Sequence, residues 1–310
     1  MAEKYLVDIQ NERLSFFTPA GEVKALNNVS IHLKEGEVLG IVGESGSGKS
    51  VTAYSLMGLT AHPGKLMGGT LHFNGHEVEK MDEKAMRRMR GNEVSIIFQD
   101  PMTSLNPVYT IGNQIMEVIR LHTDKNRQQA YERAKELLTL VGINEPDKRL
   151  KQYPHELSGG MRQRVMIAIA VACNPRLIIA DEPTTALDVT IQAQVLNLLR
   201  ELKQKLNSSI LLITHDLGVI CEMADYVVVM YAGRIVEKGT MREIFKEPAH
   251  PYTIGLHKSK PNVREDVDRL FSIPGQVPNP IDMPTTCYFR DRCDRCCEKC
   301  NGDYPEMVQL

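Results

Sequence analysis

A glycine-rich stretch between a short apolar segment and a helix-forming segment constrains the fold of this chain more than any other feature. Residues 43–50 read GESGSGKS and directly follow the mostly apolar residues 38–42. Residues 49–59 then have the apolar spacing of a helix. A buried strand, a glycine-rich turn and a helix in this order predict an α/β fold in which the turn follows a strand of the sheet.

This turn has the composition of a phosphate-binding loop. Glycines let backbone N–H groups surround phosphate oxygens without steric clashes, and the following helix adds the positive end of its dipole. Lys49 supplies a cation for the β- and γ-phosphates, and the Ser50 hydroxyl is a ligand for Mg²⁺. The alternative is a glycine-rich turn without a ligand, which the complete pattern disfavours. The predicted nucleotide contacts of this segment are Gly43, Glu44, Ser45, Gly46, Ser47, Gly48, Lys49, Ser50 and Val51.

A second apolar segment ends in two carboxylates. Residues 177–180 read LIIA and are followed by Asp181 and Glu182. At the end of a buried strand, Asp181 can hold Mg²⁺ through water, and Glu182 can polarise the water that attacks a γ-phosphate. An isolated Asp-Glu pair is more often a solvated turn. The preceding strand and the phosphate loop favour the catalytic interpretation here.

The order of the remaining segments predicts the domain organisation. Alternating strands and helices through residues 177–230, among them a strand at 177–180 and a helix at 191–206, indicate a parallel sheet with crossover helices. An N-terminal β region and a helical block precede them. We predict a main domain over residues 1–240, with a helical subdomain at about residues 100–172, and an extension over residues 241–310. Repeated prolines in the extension predict an extended arm.

Composition narrows the class of partner. Lys and Arg total 37 and Asp and Glu total 39, so no basic excess indicates a nucleic-acid partner. No apolar run approaches the length of a membrane span, and residues 1–10 do not resemble a signal peptide. We therefore expect a soluble protein that reaches a membrane only through a partner.

Taken together, six short segments resemble the ATPases of the ATP-binding-cassette (ABC) family. They occur in that family's order and lie within residues 4–239. The resemblance implies a P-loop ABC ATPase domain, with a RecA-like parallel-sheet core, an N-terminal antiparallel β-subdomain and an inserted α-helical subdomain, plus an irregular C-terminal extension. The six segments are the phosphate loop, Gln99, Ser158-Gly159-Gly160, Asp181-Glu182, Ala186-Leu187-Asp188 and His215.

The resemblance also implies a site shared between two chains. Two cassettes would face each other head to tail, so that Ser158, Gly159 and Gly160 of one chain contact the γ-phosphate of ATP on the other. Asp188 would lie at the dimer seam. Gln99 would reach Mg²⁺ and the attacking water, and His215 would hydrogen-bond the γ-phosphate.

An aromatic ring that stacks on adenine is expected from the same resemblance. Phe16 and Phe17 are the candidates, and Phe16 is favoured. The alternative, that both are core residues, stays open.

Longer motifs resemble one branch of the family, the ATPase subunits of dipeptide and oligopeptide importers. They lie at residues 99–107, 243–245, 250–253 and 273–275. This branch implies two transmembrane permease subunits, an extracytoplasmic substrate-binding protein and a second ABC ATPase subunit at the cytoplasmic face of the membrane. A heterodimer is favoured over a homodimer. The alternatives are the same motor for nickel or another small cargo, a soluble non-transport ABC ATPase, and a nucleotide-binding regulator without turnover.

Five of the seven cysteines lie between residues 287 and 300. They resemble the cysteine motif that ends these importer subunits, which in some members binds a [4Fe–4S] cluster. The implied ligands are Cys287, Cys293, Cys296 and Cys300, with the adjacent Cys297 as the alternative to Cys296. Zinc and free thiols are the other interpretations. Asp294 stands where the family usually has proline.

Overall fold

The computed structural model describes residues 5–185, 187–259, 271–281 and 283–309. The chain divides into two compact units. Among the described residues, the first unit holds residues 5–33, 39–79 and those from 214 onward, and the second holds residues 34–38 and 80–213. The strands are β1 (Tyr5–Thr18), β2 (Gly21–Lys34), β3 (Val38–Val42), β4 (Gly64–Phe73), β5 (His76–Glu77), β6 (Val94–Ile97), β7 (Leu177–Asp181), β8 (Ser209–Thr214), β9 (Tyr226–Tyr231) and β10 (Arg234–Thr240).

The helices carry most of the second unit and flank the strands of the first. Short 3₁₀ turns lie at Val78–Lys80, Pro154–Glu156, Arg290–Arg292 and Glu298–Asn301. The α-helices are α1 (Lys49–Leu56), α2 (Glu83–Met89), α3 (Pro101–Ser104), α4 (Ile111–His122), α5 (Arg127–Leu140), α6 (Pro146–Arg149), α7 (Gly159–Ala170), α8 (Val189–Leu206), α9 (Leu217–Met223), α10 (Met241–Lys246) and α11 (Pro251–Lys258).

An antiparallel sheet with the strand order β2-β1-β4-β5 forms the N-terminal part of the first unit. Its strands alternate because one face is buried: Val29, Ile31 and Leu33 of β2 point inward between partly exposed neighbours. Asn74 and Gly75 both have positive φ and connect β4 to β5 as a two-residue hairpin. The predicted N-terminal β region is therefore confirmed.

The strand that leads into the phosphate loop also belongs to the first unit. All five residues of β3 are buried, and β3 runs parallel to β9, which pairs antiparallel with β10. Helix α9 packs closely on β3: a Cβ at Gly40 would lie 2.6 Å from Cδ1 of Ile220. This packing fixes the position of β3 and therefore the point at which the phosphate loop begins.

In the second unit, β8, β7 and β6 are neighbours in that order and run parallel. The predicted strand at residues 177–180 and the predicted helix at 191–206 are confirmed. The helix starts two residues earlier, because the Asp188 side chain accepts the N–H of Ile191 as its N-cap. Helices α4, α5 and α7 pack on one another as the predicted helical block, and α5 begins with a capping box of Asn126 and Gln129.

The prediction of an extended arm after residue 240 is wrong in its first part. Helix α10 begins with a capping box of Thr240 and Glu243, and α11 begins at Pro251. Proline is tolerated there because the first turn of a helix has no use for its missing N–H. Residues 271–281 and 283–289 have no helix or strand, as predicted, while Pro261 lies outside the described residues.

Within the described ranges, no helix is both long and apolar enough to cross a bilayer. The longest, α8, has 18 residues and a polar face. The limits predicted for the domain, the helical subdomain and the extension stay predictions.

Candidate functional site

The phosphate loop connects β3 to α1, and its backbone requires glycine at three positions. A Cβ at Gly43 would lie 2.2 Å from the carbonyl oxygen of Met230. Gly46 and Gly48 have φ of 78° and 97°, a region in which other residues are strained. These glycines therefore explain why the chain can curl tightly before Lys49 begins the helix.

The Lys49 ammonium group is folded back over the loop. It donates hydrogen bonds to the carbonyl oxygens of Gly43 at 2.8 Å and Glu44 at 2.9 Å, and the residue is buried. Ser47 Oγ is buried and has no hydrogen-bond partner among the described residues. Burying a hydroxyl without a hydrogen-bond partner costs free energy. A phosphate oxygen bound in the loop could accept a hydrogen bond from this hydroxyl.

The second unit brings Gln99 and Glu182 together. Gln99 Nε2 donates to Glu182 Oε2 at 3.0 Å, and the Thr185 hydroxyl donates to the same oxygen at 2.9 Å. The backbone of Glu182 has φ of 47° and its N–H donates to the carbonyl of Ile213. A positive φ is unusual for a residue other than glycine. It marks a sharp turn of the backbone that sets the direction of the Glu182 side chain. Asp181, one residue earlier, is buried at the end of β7.

The predicted signature residues lie at the start of α7. Ser158 is the N-cap and accepts the N–H of Met161, while Gly159 and Gly160 form the first turn. Ser158 and Gly159 are exposed, and nothing lies within 4 Å of a Cβ built on Gly159. Their exposed N–H groups can reach a ligand on another molecule.

Two further predicted residues are exposed beside helix starts. Asp188 caps α8 in the second unit. His215 comes directly after the end of β8 and directly before the α9 N-cap Asp216. His215 belongs to the first unit. Ala186, from the same motif as Asp188, lies outside the described residues.

The two phenylalanines of β1 differ in exposure. Phe17 is 41% exposed, and the Lys65 ammonium lies 5.6 Å from its ring centroid. Phe16 is half-buried and pairs with Gly64 of β4. Phe17 therefore offers more open ring surface than the favoured Phe16, and the assignment of Phe16 to adenine stays a prediction.

None of the clustered cysteines, all of which lie in the described ranges, forms a disulfide. The Sγ atoms of Cys297 and Cys300 are 3.8 Å apart, and Cys296 and Cys297 are exposed. Hydrogen bonds from the backbone and thiol of Cys297 lower the pKa of Cys300, whereas burial raises the pKa of Cys293. The local chain therefore favours the thiolate form of Cys300 over that of Cys293.

The model of the ABC transporter family matches residues 26–185, just over half of the chain. The chain belongs to the ABC transporter family. A second model, that of the oligopeptide/dipeptide transporter C-terminal region, matches residues 236–300 of this ABC protein. The predicted resemblance to the peptide-importer branch is thus confirmed, apart from its cysteine motif.

Relatives of this ABC protein match nearly its whole length. It is 51% identical over 304 residues to the oligopeptide transport ATP-binding protein AppD of Bacillus subtilis, covering 98% of this chain and 93% of the relative. It is 49% identical over 305 residues to the dipeptide transport ATP-binding protein DppD of Escherichia coli, with the same coverage of 98% and 93%.

A solved structure confirms the predicted fold class. The ATP-binding cassette MJ0796, in a dimeric post-hydrolysis state with ADP and Pi, matches with a TM-score of 0.69 and 27% identity. The match covers 76% of this chain and 99% of that one. The P-loop cassette with an antiparallel sheet and a helical region is therefore the fold of this ABC ATPase.

Three residues around the site of this ABC ATPase escaped sequence reasoning. Thr185 holds the Glu182 carboxylate, and Tyr252 and Arg292 both contact Glu44 of the phosphate loop. Thr185 lies three residues after Glu182 and directly before the Ala186-Leu187-Asp188 motif, which is a signal that could have found it. Tyr252 and Arg292 lie in motifs that marked only the branch of the family.

Proposed function

We propose that this ABC ATPase couples ATP hydrolysis to the uptake of dipeptides or oligopeptides. The observation that carries the proposal is that similarity to proteins named for peptide transport extends beyond the cassette into the C-terminal region. Two transmembrane permease subunits and an extracytoplasmic binding protein would complete the importer, with this chain at the cytoplasmic face.

Residues of this chain would bind the phosphates of ATP and supply the base for its hydrolysis. The loop N–H groups and Lys49 bind the phosphates of ATP. Glu182, oriented by Gln99 and Thr185, accepts a proton from the attacking water, and His215 hydrogen-bonds the γ-phosphate. Each of these roles uses a polar group that lies at a strand end or a loop.

The donors expected around Mg²⁺ fit a hard cation. Ser50 offers a hydroxyl, Asp181 a buried carboxylate and Gln99 an amide oxygen, all of them oxygen ligands. When bound with ATP, Mg²⁺ would neutralise charge on the β- and γ-phosphates.

Ser158, Gly159 and Gly160 supply the second half of the site from a partner ATPase, with Asp188 at the seam. Their exposure at the start of α7 supports this role. In the favoured heterodimer the partner is a related ATPase subunit. In a homodimer it would be a second copy of this chain.

Reconstitution tests the transport function. The chain is assembled with its permeases and second ATPase in liposomes, and uptake of labelled dipeptide, oligopeptide and nickel is measured in the presence of the binding protein. ATP-dependent uptake of peptide supports the proposal. Uptake of nickel alone, or failure to assemble with any permease, overturns it.

The clustered cysteines support a second proposal, that Cys287, Cys293, Cys296 and Cys300 hold a [4Fe–4S] cluster. Tetrahedral zinc needs sulfur atoms about 3.8 Å apart in every pair, given Zn–S distances of about 2.3 Å. No three of these described sulfur atoms all lie within 4.8 Å of one another. Four thiolates on one short segment are also the ligand set of a [4Fe–4S] cluster, which would serve a structural role.

Analysis of anaerobically purified protein tests this second proposal. Iron and acid-labile sulfide in equal amounts, with visible absorbance, are expected, and zinc without iron overturns the cluster. The matched variants Cys296→Ser and Cys297→Ser identify the fourth ligand. Loss of iron from Cys296→Ser alone is expected, and loss from Cys297→Ser alone assigns the neighbouring thiol.

A further inference from the structure

Two segments that follow residue 240 contact Glu44, the second residue of the phosphate loop. They are α11 with Tyr252 and the 3₁₀ turn that contains Arg292. A third segment, the backbone at Ile273 and Pro274, contacts Arg292. All of them lie in the first unit together with the loop. The proposed importer function assigns no role to these segments.

Arg292 binds the Glu44 carboxylate through both terminal nitrogens of its guanidinium group. Nη1 lies 2.6 Å from Oε2 and Nη2 lies 3.0 Å from Oε1, a bidentate charge-assisted pair. Arg292 is itself anchored, because its Nε donates to the carbonyl of Pro274 at 2.9 Å and its Nη2 to that of Ile273 at 3.3 Å. The pair with Glu44 raises the pKa of Arg292, which is buried.

Tyr252 holds the backbone of the same residue. Its hydroxyl oxygen accepts the Glu44 N–H at 2.8 Å. The Tyr252 ring is fully buried and packs against Tyr231 and Phe289, with centroids 4.7 and 5.4 Å away. Burial also raises the pKa of its phenol, so the group stays a neutral acceptor.

The third polar group of Glu44 is its carbonyl, which accepts a hydrogen bond from Lys49 Nζ at 2.9 Å. Glu44 is thus fixed through its carboxylate by Arg292 and through its N–H by Tyr252, while its carbonyl orients the cation of the site. A shift of Glu44 would move the carbonyl that positions Lys49.

We propose that Arg292 and Tyr252 are positioning residues that hold the phosphate loop in its nucleotide-binding conformation through Glu44. The inference rests on the proposed ATP site and assigns a function to the C-terminal segments within it. Holding the loop in place before nucleotide arrives lowers the ordering cost of binding. Loss of either contact should weaken nucleotide affinity and leave the chemical step intact.

Titration of the full chain with a fluorescent, non-hydrolysable ATP analogue tests the proposal. Tyr252→Phe removes one hydroxyl and should weaken binding about three- to tenfold. Arg292→Gln should weaken it by about tenfold or more, because a charge-assisted pair is lost. The KM for ATP should rise in parallel, with kcat at saturating ATP within about twofold of wild type.

If Arg292 acts through Glu44, the effects of substituting the two residues should not add. The double variant Glu44→Gln/Arg292→Gln should bind no more weakly than the weaker of the two single variants, because both remove the same contact. If Arg292→Gln fails to fold, Arg292→Lys keeps the charge but loses the two-point contact and should still weaken binding.

Two matched variants separate positioning from general stability. Tyr288→Phe removes a hydroxyl that accepts a 2.7 Å hydrogen bond from Asn27, and Arg290→Gln removes a guanidinium that contacts Asp291 and Asn301. Both controls should keep wild-type affinity. Equal weakening by Tyr288→Phe and Tyr252→Phe overturns the proposal, as does wild-type affinity in folded Tyr252→Phe and Arg292→Gln.

The variant Lys49→Ala distinguishes this inference from the proposed function. If wild type binds the analogue and Lys49→Ala does not, the nucleotide site stands whatever the result for Tyr252. If Lys49→Ala binds as well as wild type, the proposed nucleotide site itself is overturned.

Discussion

Single residues define the chemistry of this chain. Glu182 has the strained backbone of a sharp turn, and its carboxylate is held by Gln99 and Thr185. Such an arrangement orients the carboxylate for a proton transfer. In the first unit, the Lys49 ammonium group donates hydrogen bonds to two backbone carbonyl oxygens of the phosphate loop. Phosphate oxygens can replace these carbonyls as the acceptors.

The substitution Glu182→Gln should separate binding from hydrolysis. The amide keeps the shape of the side chain but cannot accept a proton, so phosphate release should fall by about a hundredfold or more. ATP binding should be retained and the ATP-bound dimer should accumulate, as measured by phosphate release and sedimentation. The exposed Glu117→Gln serves as the control and should hydrolyse ATP at the wild-type rate. Unchanged turnover in Glu182→Gln would remove the base assignment.

Buried Glu12 should make stability depend on pH. Neither of its oxygens has a hydrogen-bond partner among the described residues, and burial raises its pKa to about 7 despite the nearby Ser55 hydroxyl. The unfolded chain has the lower pKa, so the folded state binds the extra proton between these values. Stability should therefore fall as the pH rises from about 4.5 to about 7, by about 3 kcal/mol in total, and then level off.

Denaturant unfolding of Glu12→Gln against wild type measures this effect. The amide cannot ionise, so the difference in unfolding free energy between variant and wild type should grow in favour of the variant as the pH rises to 7. A constant difference between Glu12→Gln and wild type from pH 5 to pH 8 would contradict the raised pKa.

At the scale of elements, the start of α7 is exposed while the start of α1 is buried within the loop. Ser158 and Gly159 lie open at the first turn of α7, whereas Lys49 and Gly48 are buried. Both helix starts offer backbone N–H groups and the positive end of a dipole. The exposed one is therefore suited to a ligand carried by another molecule.

Gly159→Asp should block that role without harming the fold. Aspartate is favoured in the first turn of a helix, and no atom lies within 4 Å of the added Cβ. Its negative charge would repel the γ-phosphate, so hydrolysis should fall at least about tenfold while the isolated chain binds ATP normally. Gln128→Asp in the exposed first turn of α5 is the matched control and should leave hydrolysis unchanged. Wild-type turnover in Gly159→Asp would exclude the α7 start from the site.

At the scale of the whole molecule, the two units carry different halves of the proposed chemistry. The first holds the phosphate loop, His215 and the C-terminal segments, and the second holds the Gln99–Glu182 pair and the start of α7. A head-to-tail pair of cassettes would use the loop of one molecule and the α7 start of the other. Catalysis then becomes a property of the pair.

Mixing two inactive variants tests this division. Lys49→Ala lacks a working loop and Gly159→Asp lacks a working α7 start, so each alone should be inactive. A mixed pair contains one intact site, built from the loop of Gly159→Asp and the α7 start of Lys49→Ala. ATP hydrolysis should therefore reappear on mixing, under conditions in which the wild-type chain alone is active. A mixture no more active than the sum of its parts would contradict the shared site.

The sequence by itself determined the loop and the acidic strand end, because these depend on local patterns, and it indicated the cassette fold through the resemblance of its motifs to the ABC family. Strand, glycine-rich turn and helix follow one another along the chain, and their spacing alone predicts β3, the loop and α1. The same holds for β7 and its carboxylates. Helix α11 was missed because proline usually ends regular structure, whereas its place in the first turn is decided by its neighbours.

Only the tertiary structure decided which distant residues support the site. Arg292 lies 248 positions from Glu44, yet the two form an ion pair in which the arginine is buried. Thr185 holds Glu182, and Tyr252 holds the loop backbone. No periodicity or spacing encodes such contacts, because they depend on how separate segments pack, and packing brings together residues that the chain order keeps apart.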